Sequence, residues 1–439
     1  MSSFLIFSAL FPIIYYLLRN IFFAEWILTI GIGVIAWIAA DNLSKYVVNM
    51  MPKVNIDPQG KAVLITVDDL TFRKRTKKII SSMSCDSGFG HELAKKLDLL
   101  GFYVFAGCLL PDQEGAKSLV ASCSERLKIV ELDVTNDEQV KAAAKQVAST
   151  LDEKKFNIEF VLKTNVTQQT KKSLKTRWLE SQESRLYHQF VLWALVNNAG
   201  IATFTEIEWC PLETYRKIFD VNAMGPIRVT KAFLPLLRES QGRVVIMASL
   251  AGRYTFPGFS AYSMSKYAAV SFADALRREM KKWNISVHTI EPTLYKTAIS
   301  ETNNVMKVLH NSWEATPSEI QETYGEEYYQ AFQNRMIGSL KAARGNIEEV
   351  ITDFIDAVAG SRPKTRYVPS LVIQFRAKLL QSISTEMQDY VLGLSQPRIL
   401  PAKKAVINSR IGNLRPGLRR SFSVPASATS IFRSNIKSD

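Results

Sequence analysis

Short apolar runs alternate with amphipathic stretches from residue 61 onward, and this alternation predicts strands and helices in turn. Strands that alternate with helices form a parallel sheet covered on both sides, so we predict an α/β fold with a doubly wound parallel sheet. Such sheets place ligands at the carboxyl ends of their strands. The predicted strands are residues 62–66, 103–106, 127–132, 195–197, 244–248 and 286–290, with a strand-like run over residues 192–196, and the predicted helices are residues 91–100, 136–151, 212–233 and 261–282.

The chain before this folded body is strongly apolar. Residues 4–18 contain no charged side chain, and residues 21–40 contain only Glu25. A membrane-spanning helix needs about 20 apolar residues, so the second run is a good candidate and the first is short. We predict that residues 1–50 form a membrane anchor with one transmembrane segment or with two in a tight hairpin; a buried core hairpin is the alternative. Lys45 and Lys53 follow the second run and favour a cytosolic position for the folded body.

The net charge of +14 is concentrated in three segments. Residues 401–439 carry +7, and residues 67–84 and 156–191 carry +3 each, which leaves +1 for the rest of the chain. A nucleic-acid-binding protein would carry a basic face on the fold itself, so this distribution argues against that class. The four cysteines form neither metal-ligand pairs nor a disulfide framework, which favours a reducing compartment for the folded body, residues 61–395.

The C-terminal segment, residues 401–439, is basic and rich in serine, and we predict that it is disordered. Within it, Arg420, Ser421 and Ser423 fit the pattern that 14-3-3 proteins bind once Ser423 is phosphorylated. A basic tail that is attracted to a membrane is the alternative. Upstream, residues 368–380 are apolar with few charges, and this composition is compatible with a position on a bilayer.

Four polar residues form a candidate catalytic set. Tyr262 and Lys266 are four apart, so on a helix they share one face and the ammonium can lie beneath the phenol. A nearby cation would lower the pKa of the phenol, which is about 10 when unperturbed, and make tyrosine a proton shuttle near neutral pH. Ser249 ends the apolar run 244–248 and would hold a substrate oxygen. Asn222 would anchor a water that links Lys266 to solvent.

Two further motifs accompany this set: residues 197–200 (Asn-Asn-Ala-Gly) and residues 132–134 (Leu-Asp-Val), each after a predicted strand. Together with the set, they resemble the short-chain dehydrogenase/reductase family, whose catalytic tetrad is Asn, Ser, Tyr and Lys in this order and at about these intervals. The resemblance covers roughly residues 61–370 apart from two insertions. It implies a Rossmann-type fold that binds NAD or NADP, with the four residues above as the catalytic residues and no metal.

The phosphate-binding loop departs from the family pattern Thr-Gly-x3-Gly-x-Gly. Thr66 supplies its start and residues 85–90 supply its second half, but the first glycine is absent and residues 67–84 intervene. Glycines here let the backbone approach a pyrophosphate at a helix N-terminus. A rival register places residues 79–83 in the sheet, but residues 62–66 are more apolar and more β-branched. The resemblance implies these cofactor-binding residues: Thr66, Ser87, Gly88, Phe89, Gly90, Asp133, Val134, Asn198, Ala199, Gly200, Tyr262, Lys266, Pro292 and Thr293.

A second insertion, residues 156–191, precedes the fourth strand. Its cost should be small, because long surface loops add little closure entropy. Two hypotheses cover both insertions: they are loops of a working enzyme, or they are in-frame segments from alternative splicing or a mistaken gene model. The second is favoured, because removing residues 67–84 and restoring one glycine gives a clean family match.

Residues 85–90, 101–109 and 193–201 are most similar to the membrane-associated 17β-hydroxysteroid, retinol and D-3-hydroxybutyrate dehydrogenases of this family. The similarity implies an enzyme that interconverts a secondary or allylic alcohol and its carbonyl on a lipid-soluble, steroid-like or retinoid-like substrate. It also implies a membrane location, in the endoplasmic reticulum or alternatively in mitochondria, and it is compatible with a homodimer. The alternatives are D-3-hydroxybutyrate dehydrogenase-like activity and a membrane-bound scaffold that binds no dinucleotide.

The cofactor preference depends on the residues just after the second strand. An acidic residue there would hold the ribose 2′-hydroxyl of NAD, whereas arginine would accept the 2′-phosphate of NADP. Residues 106–109 offer neither and Asp112 is slightly late, so the absence of arginine favours NAD. Beyond residue 311, a predicted substrate-side lid contains aromatic residues that either line an apolar pocket or pack helices together. They are Trp313, Tyr324, Tyr328, Tyr329 and Phe332.

Overall fold

The structure, a computed structural model, describes residues 54–66, 88–164 and 190–403; for residues 153–164 it describes the backbone alone. The predicted anchor over residues 1–50, the insertion 67–84, Ser87 and the phosphorylation motif at Ser423 lie outside these ranges. No helix within the described ranges combines the length and the apolar character that crossing a membrane requires. The predicted transmembrane segments therefore stay a prediction.

Seven strands of the described chain form one sheet in which every neighbouring pair is parallel. They are β1 (Lys61–Thr66), β2 (Tyr103–Cys108), β3 (Leu127–Glu131), β4 (Val191–Asn197), β5 (Arg243–Met247), β6 (Ser286–Ile290) and β7 (Arg366–Tyr367). Their order across the sheet is β3-β2-β1-β4-β5-β6-β7. This order confirms the predicted parallel sheet and the choice of residues 62–66 as the first strand.

Helices cover both faces of the sheet, as the doubly wound prediction requires. They are α1 (Phe89–Leu99), α2 (Glu114–Ser122), α3 (Asp137–Thr164), α4 (Leu212–Phe219), α5 (Gly225–Ser240), α6 (Ser260–Met280), α7 (Thr302–Glu314), α8 (Ser318–Tyr324), α9 (Glu326–Lys341), α10 (Glu348–Ala359), α11 (Leu371–Ser382) and α12 (Thr385–Gly393). One face is buried by α1, α2 and α10, which contribute Leu97, Leu119 and Phe354 to a single apolar cluster. The other is buried by α3, α5 and α6.

Two predicted helices differ from the structure. The predicted helix 136–151 begins as expected, because the Asn136 side chain accepts hydrogen bonds from the N–H groups of Glu138 and Gln139. It then continues to Thr164, so the first part of the predicted second insertion is helical rather than a loop. The predicted helix 212–233 is α4 and α5, joined by a five-residue π-helix, Asp220–Met224.

Strand β6 carries a buried histidine that is held by hydrogen bonds from its own strand and from the segment before β7. The Nδ1 atom of His288 is 2.6 Å from the carbonyl oxygen of Lys364, and its Nε2 atom is 2.9 Å from the hydroxyl oxygen of Ser286. Burial lowers the pKa of His288 to about 4, because the charged imidazolium would lose its hydration. The folded protein therefore holds this ring neutral at pH values where an unfolded chain would protonate it.

We expect His288 to make the fold sensitive to acid. Its folded pKa is below its unfolded value of about 6.5, so its contribution is complete above pH 6.5 and is lost as pH falls toward 4. The full effect is on the order of 3 kcal/mol in the free energy of unfolding. Urea unfolding of the parent and of His288→Gln between pH 4.5 and 7.5 measures it, since acid effects of carboxylates are common to both proteins. Equal pH slopes for the two would contradict this account.

Candidate active site

The ammonium of Lys266 is buried at the centre of the predicted catalytic set. Lys266 lies on α6 and is only 3% exposed. Its Nζ donates a hydrogen bond of 2.9 Å to the carbonyl oxygen of Met247, the last residue of β5. The same Nζ lies 5.7 Å from the ring centroid of Tyr262. The structure thus brings this pair together as the four-residue spacing predicts, and it holds the cation in place from the sheet.

Asn222 links the loop after β4 to α6, the helix that carries Tyr262 and Lys266. Its side chain exchanges two hydrogen bonds of 2.8 Å with the backbone of Ile201 and donates a third, of 2.9 Å, to the hydroxyl of Ser265. Ser265 in turn donates to the carbonyl oxygen of Tyr262 at 2.7 Å. Asn222 lies in the π-helix, a rare element that often marks functional sites. Ser265 was not predicted, although it lies next to Lys266 in the sequence.

Gly200 lies where the polar atoms of this network converge. A Cβ atom at this position would lie 3.3 Å from Oδ1 of Asn222 and 3.4 Å from Nζ of Lys266. Both contacts would be tight, so any larger residue would press on two of the four predicted catalytic side chains. The close approach of these two side chains to the backbone therefore explains why residue 200 is a glycine.

Ser249 follows β5 and points its hydroxyl between two backbone segments. Its Oγ accepts a hydrogen bond from the N–H of Ala251 at 3.1 Å and donates one of 3.2 Å to the carbonyl oxygen of Pro292. The N–H of Leu250 donates to the same carbonyl at 3.1 Å. Pro292 and Thr293, which were predicted to contact the cofactor, therefore lie on the loop that shapes the surroundings of the serine.

A buried ion pair, which the sequence spacing did not indicate, joins the two loops. Arg253 donates to both carboxylate oxygens of Glu291, at 2.9 and 2.6 Å. Thr289 donates a further hydrogen bond of 2.7 Å to Glu291. The hydrogen bonds to Glu291 raise the pKa of Arg253, so the guanidinium stays charged despite partial burial. Such forked pairs add geometric specificity, and this one fixes the Ser249 loop against the end of β6.

Thr66 joins the ends of β1 and β4 at the point where the strand order reverses. Its hydroxyl oxygen accepts hydrogen bonds of 2.9 Å from the backbone N–H groups of both Asn198 and Ala199. The Asn198 side chain donates to the carbonyl oxygen of Thr66 at 3.1 Å. The two predicted halves of the cofactor site thus meet at this point, where doubly wound sheets bind nucleotides.

The residues around this point fit a dinucleotide. Oδ1 of Asn198 is buried without a hydrogen-bond partner, which leaves an acceptor for a bound group. Gly88 precedes α1, and no described atom lies within 4 Å of a Cβ placed on it. Helix N-termini attract phosphate through their free N–H groups and dipole. Gly90 is buried in the first turn of α1, and Phe89 packs edge-on against Tyr295.

Asp133 and Val134 form the turn after β3. The Asp133 carboxylate accepts hydrogen bonds from the N–H and hydroxyl of Thr135, at 2.8 and 2.6 Å. The Val134 carbonyl accepts a 2.6 Å hydrogen bond from Arg228 of α5, which also pairs with Asp137. These side chains shape the loop, and Arg228 is a structural partner that the sequence pattern did not show.

The aromatic residues of the predicted lid pack against one another. The ring of Trp209 is 1% exposed and lies within 6.0 Å, centroid to centroid, of five other aromatic rings. These rings belong to Trp313, Tyr324, Tyr328, Tyr329 and Phe332. Of the two predicted roles, helix packing is therefore the one that the structure supports. Outside this cluster, Phe204 lies near Tyr262, with the two ring centroids 6.4 Å apart.

Comparison with known proteins agrees with this geometry. A family described as short chain dehydrogenase matches residues 185–307. The 17-beta-hydroxysteroid dehydrogenase type 6 of Bos taurus is 34% identical over 73% of this chain and 89% of its own length. The mitochondrial D-beta-hydroxybutyrate dehydrogenase of Bos taurus is 34% identical over 72% of this chain and 78% of its own. The estradiol 17-beta-dehydrogenase 2 of Mus musculus is 34% identical over 72% and 74%.

The chain therefore belongs to the short-chain dehydrogenase/reductase family. Family membership and these dehydrogenase relatives support the prediction of an alcohol dehydrogenase of this type that uses a nicotinamide cofactor.

We expect the hydroxyl of Thr66 to stabilise the joint between β1 and β4. Thr66→Val keeps the shape but leaves two buried N–H groups without their acceptor, which should cost about 1–3 kcal/mol in the free energy of unfolding. Thr66→Ser keeps the hydroxyl and should stay close to the parent. Denaturant unfolding of the three proteins measures the difference, and a Val variant as stable as the Ser variant would refute the assigned role.

Proposed function

We propose that the protein is an NAD- or NADP-dependent oxidoreductase, with NAD preferred, that interconverts a secondary or allylic alcohol and its carbonyl on a lipid-soluble substrate. The observation that carries this proposal is the buried ammonium of Lys266, which is fixed to Met247 and lies beside the ring of Tyr262. A buried cation next to a phenol favours the phenolate, and the effect is stronger in the protein interior than in water.

Tyr262 acts as the proton shuttle in this proposal. During oxidation its phenolate takes the proton of the substrate hydroxyl, and during reduction its phenol returns a proton to the new alkoxide. The nicotinamide, when bound, accepts or supplies the hydride. Lys266 stabilises the phenolate and would also hold the ribose next to the nicotinamide. Thr66, Asn198 and the N-terminus of α1 would hold the rest of the dinucleotide.

Ser249 orients the substrate oxygen. A hydroxyl has one hydrogen to donate and two lone pairs, and the Ser249 hydrogen points to the carbonyl of Pro292 while one lone pair accepts from Ala251. The single hydroxyl hydrogen of an alcohol goes to Tyr262 in this proposal, so Ser249 must hold the substrate oxygen as a hydrogen-bond donor. To donate to a carbonyl substrate, the hydroxyl must turn away from Pro292, and that hydrogen bond is long at 3.2 Å.

Asn222 supports the proton path chiefly by position. Both of its amide hydrogens are used by Ile201 and Ser265, and one lone pair of Oδ1 accepts from Ile201. Oδ1 of Asn222 and Nζ of Lys266 both lie beside Gly200, at 3.3 and 3.4 Å from a Cβ placed there, so in this proposal the second lone pair of Oδ1 holds the relay water that links the ammonium to solvent. The amide thus positions the helix and the water together.

An apolar substrate, steroid-like or retinoid-like, is supported by the surroundings of Tyr262. Phe204 contacts both Tyr262 and Phe259, with ring centroids 6.4 and 4.7 Å apart. Two of the relatives are named as hydroxysteroid or estradiol dehydrogenases. A hydroxybutyrate-like acid is the second candidate, since another relative is named for it. Such an acid needs a cation, and the guanidinium nearest Ser249 in sequence, Arg253, already pairs with Glu291.

A preference for NAD rests on the end of β2. This strand ends at Cys108, which is fully buried, so its side chain offers no charge to a 2′-phosphate. A membrane of the endoplasmic reticulum is the proposed location, and a mitochondrial membrane is the alternative because one relative is named as mitochondrial.

We expect Tyr262→Phe to remove the proton shuttle and little else. Turnover should fall by about 10²-fold to 10⁴-fold, whereas the affinity for NAD should stay nearly unchanged. Steady-state rates on a panel of steroid, retinoid and hydroxy-acid substrates, together with NAD titration, check both parts. Tyr267→Phe, an exposed position five residues along, is the matched control and should keep full activity. Full turnover in the Tyr262 variant would refute the assignment.

Binding of NAD(H) separates the enzyme from the scaffold alternative. A ligand that binds the folded state at 100 times its Kd stabilises it by about 2.7 kcal/mol, so NADH should raise the melting temperature of the full chain. A scaffold with an interrupted phosphate loop would show no change. Thermal unfolding with and without NADH or NADPH decides between the two and compares the cofactors in one experiment.

A further inference from the structure

The last two helices of the described chain are attached to the loop that carries Ser249. Ala377 of α11 and Leu392 of α12 are buried in one apolar cluster with Leu250 and Tyr254. Leu250 is the residue directly after the catalytic serine. The inward side of this helix pair is therefore already occupied by the enzyme's own core.

The outward side of α11 is also apolar. Leu371, Phe375 and Leu379 follow one another at four-residue intervals, so they form one stripe along the helix, and they are 80%, 68% and 54% exposed. A second exposed apolar stripe runs along and just past α12, formed by Met387, Tyr390, Val391 and Leu394. Scattered apolar residues on a surface are ordinary, but stripes on two consecutive helices indicate a binding surface.

Basic side chains flank the stripe on α11. At about 100° per residue, the exposed Lys378 lies on one side of the Leu371–Leu379 stripe and the exposed Arg376 on the other, and α11 contains no acidic residue. Asp389 of α12 lies on the side opposite its own stripe, and Glu386 lies at its edge. Lysine and arginine beside an apolar face can bury their stems and extend their charges to lipid headgroups. Residues 368–403 carry four basic and two acidic side chains, for a net charge of +2.

We propose that the outward face of α11 and α12 docks on the surface of a lipid bilayer, with the apolar stripes at the boundary between acyl chains and headgroups. A second copy of the chain is a poorer partner, because a two-fold interface through this face would bring two sets of Arg376 and Lys378 into one contact, and α11 offers no acidic residue to pair with them. Docking places the Ser249 loop beside the bilayer, where a lipid-soluble substrate is concentrated. That docking helps a lipid-soluble substrate to reach the site rests on the proposed function. The docking itself does not.

The test is position-specific, because other parts of the full chain can bind membranes as well. Phe375→Cys and Leu379→Cys are labelled with the polarity-sensitive dye NBD in the full chain, reconstituted into phosphatidylcholine vesicles with phosphatidylserine. Leu99→Cys, which replaces an apolar residue that is 79% exposed at the end of α1, is the matched control, and the labelled parent gives the background from native cysteines. No substrate or cofactor is needed, so the result does not depend on the proposed reaction.

We expect at least about a twofold rise in NBD emission and a blue shift at both α11 positions, with quenching by acyl-chain spin labels and none of these at Leu99. Arg376→Glu with Lys378→Glu should reduce quenching at Leu379→Cys several-fold, and the exposed pair Lys117→Glu with Lys141→Glu should not. Emission like that at Leu99 would overturn the proposal. A blue shift without lipid quenching would also overturn it, since the stripe would then contact protein, either a second copy or residues 1–53.

Discussion

The buried ammonium of Lys266 is the constraint on which the rest of the site depends. A charge taken out of water is costly unless it is paired or hydrogen-bonded, so the surrounding elements must supply partners at fixed positions. The carbonyl oxygen of Met247, at the end of β5, accepts a hydrogen bond from the ammonium. The ring of Tyr262, on the same helix as Lys266, lies beside it. The position of β5 relative to α6 therefore matters for the proposed reaction as well as for the fold. A shift of either element would break the hydrogen bond that Lys266 donates to Met247.

Two networks of polar side chains hold the loops around this site in place. Asn222, through Ile201 and Ser265, joins the loop after β4 to α6. Arg253, through Glu291, joins the loop after β5 to the end of β6. The proposed proton transfer requires donor and acceptor to meet within hydrogen-bond distance, and these networks hold the backbone around Lys266 and Ser249 in fixed positions. Under the proposed function, the scaffold and the reaction therefore depend on the same polar contacts.

Much of this could be predicted from the sequence, and the exceptions have physical reasons. Central parallel strands are continuous apolar runs, so six of them were visible, whereas the two residues of β7 show no pattern. The candidate tetrad could be proposed from the sequence because its residue types, order and intervals resemble the pattern of the family. The ion pair between Arg253 and Glu291 joins residues 38 apart and leaves no periodic signal. The π-helix at Asn222 could not be predicted from the sequence, because its residues suit an α-helix equally well.

The central position of β1 has a consequence for how the chain folds during synthesis. One edge of β1 pairs with β2, which follows soon after, but the other pairs with β4, and Thr66 bonds to a residue 132 positions later. The ribosome must therefore release more than a hundred residues before the middle of the sheet can close. Until then an apolar strand edge stays open to other chains. The insertion 156–191 before β4 prolongs the time for which this edge is exposed during synthesis. It destabilises the finished fold far less, because the entropy cost of closing a loop grows only with the logarithm of its length.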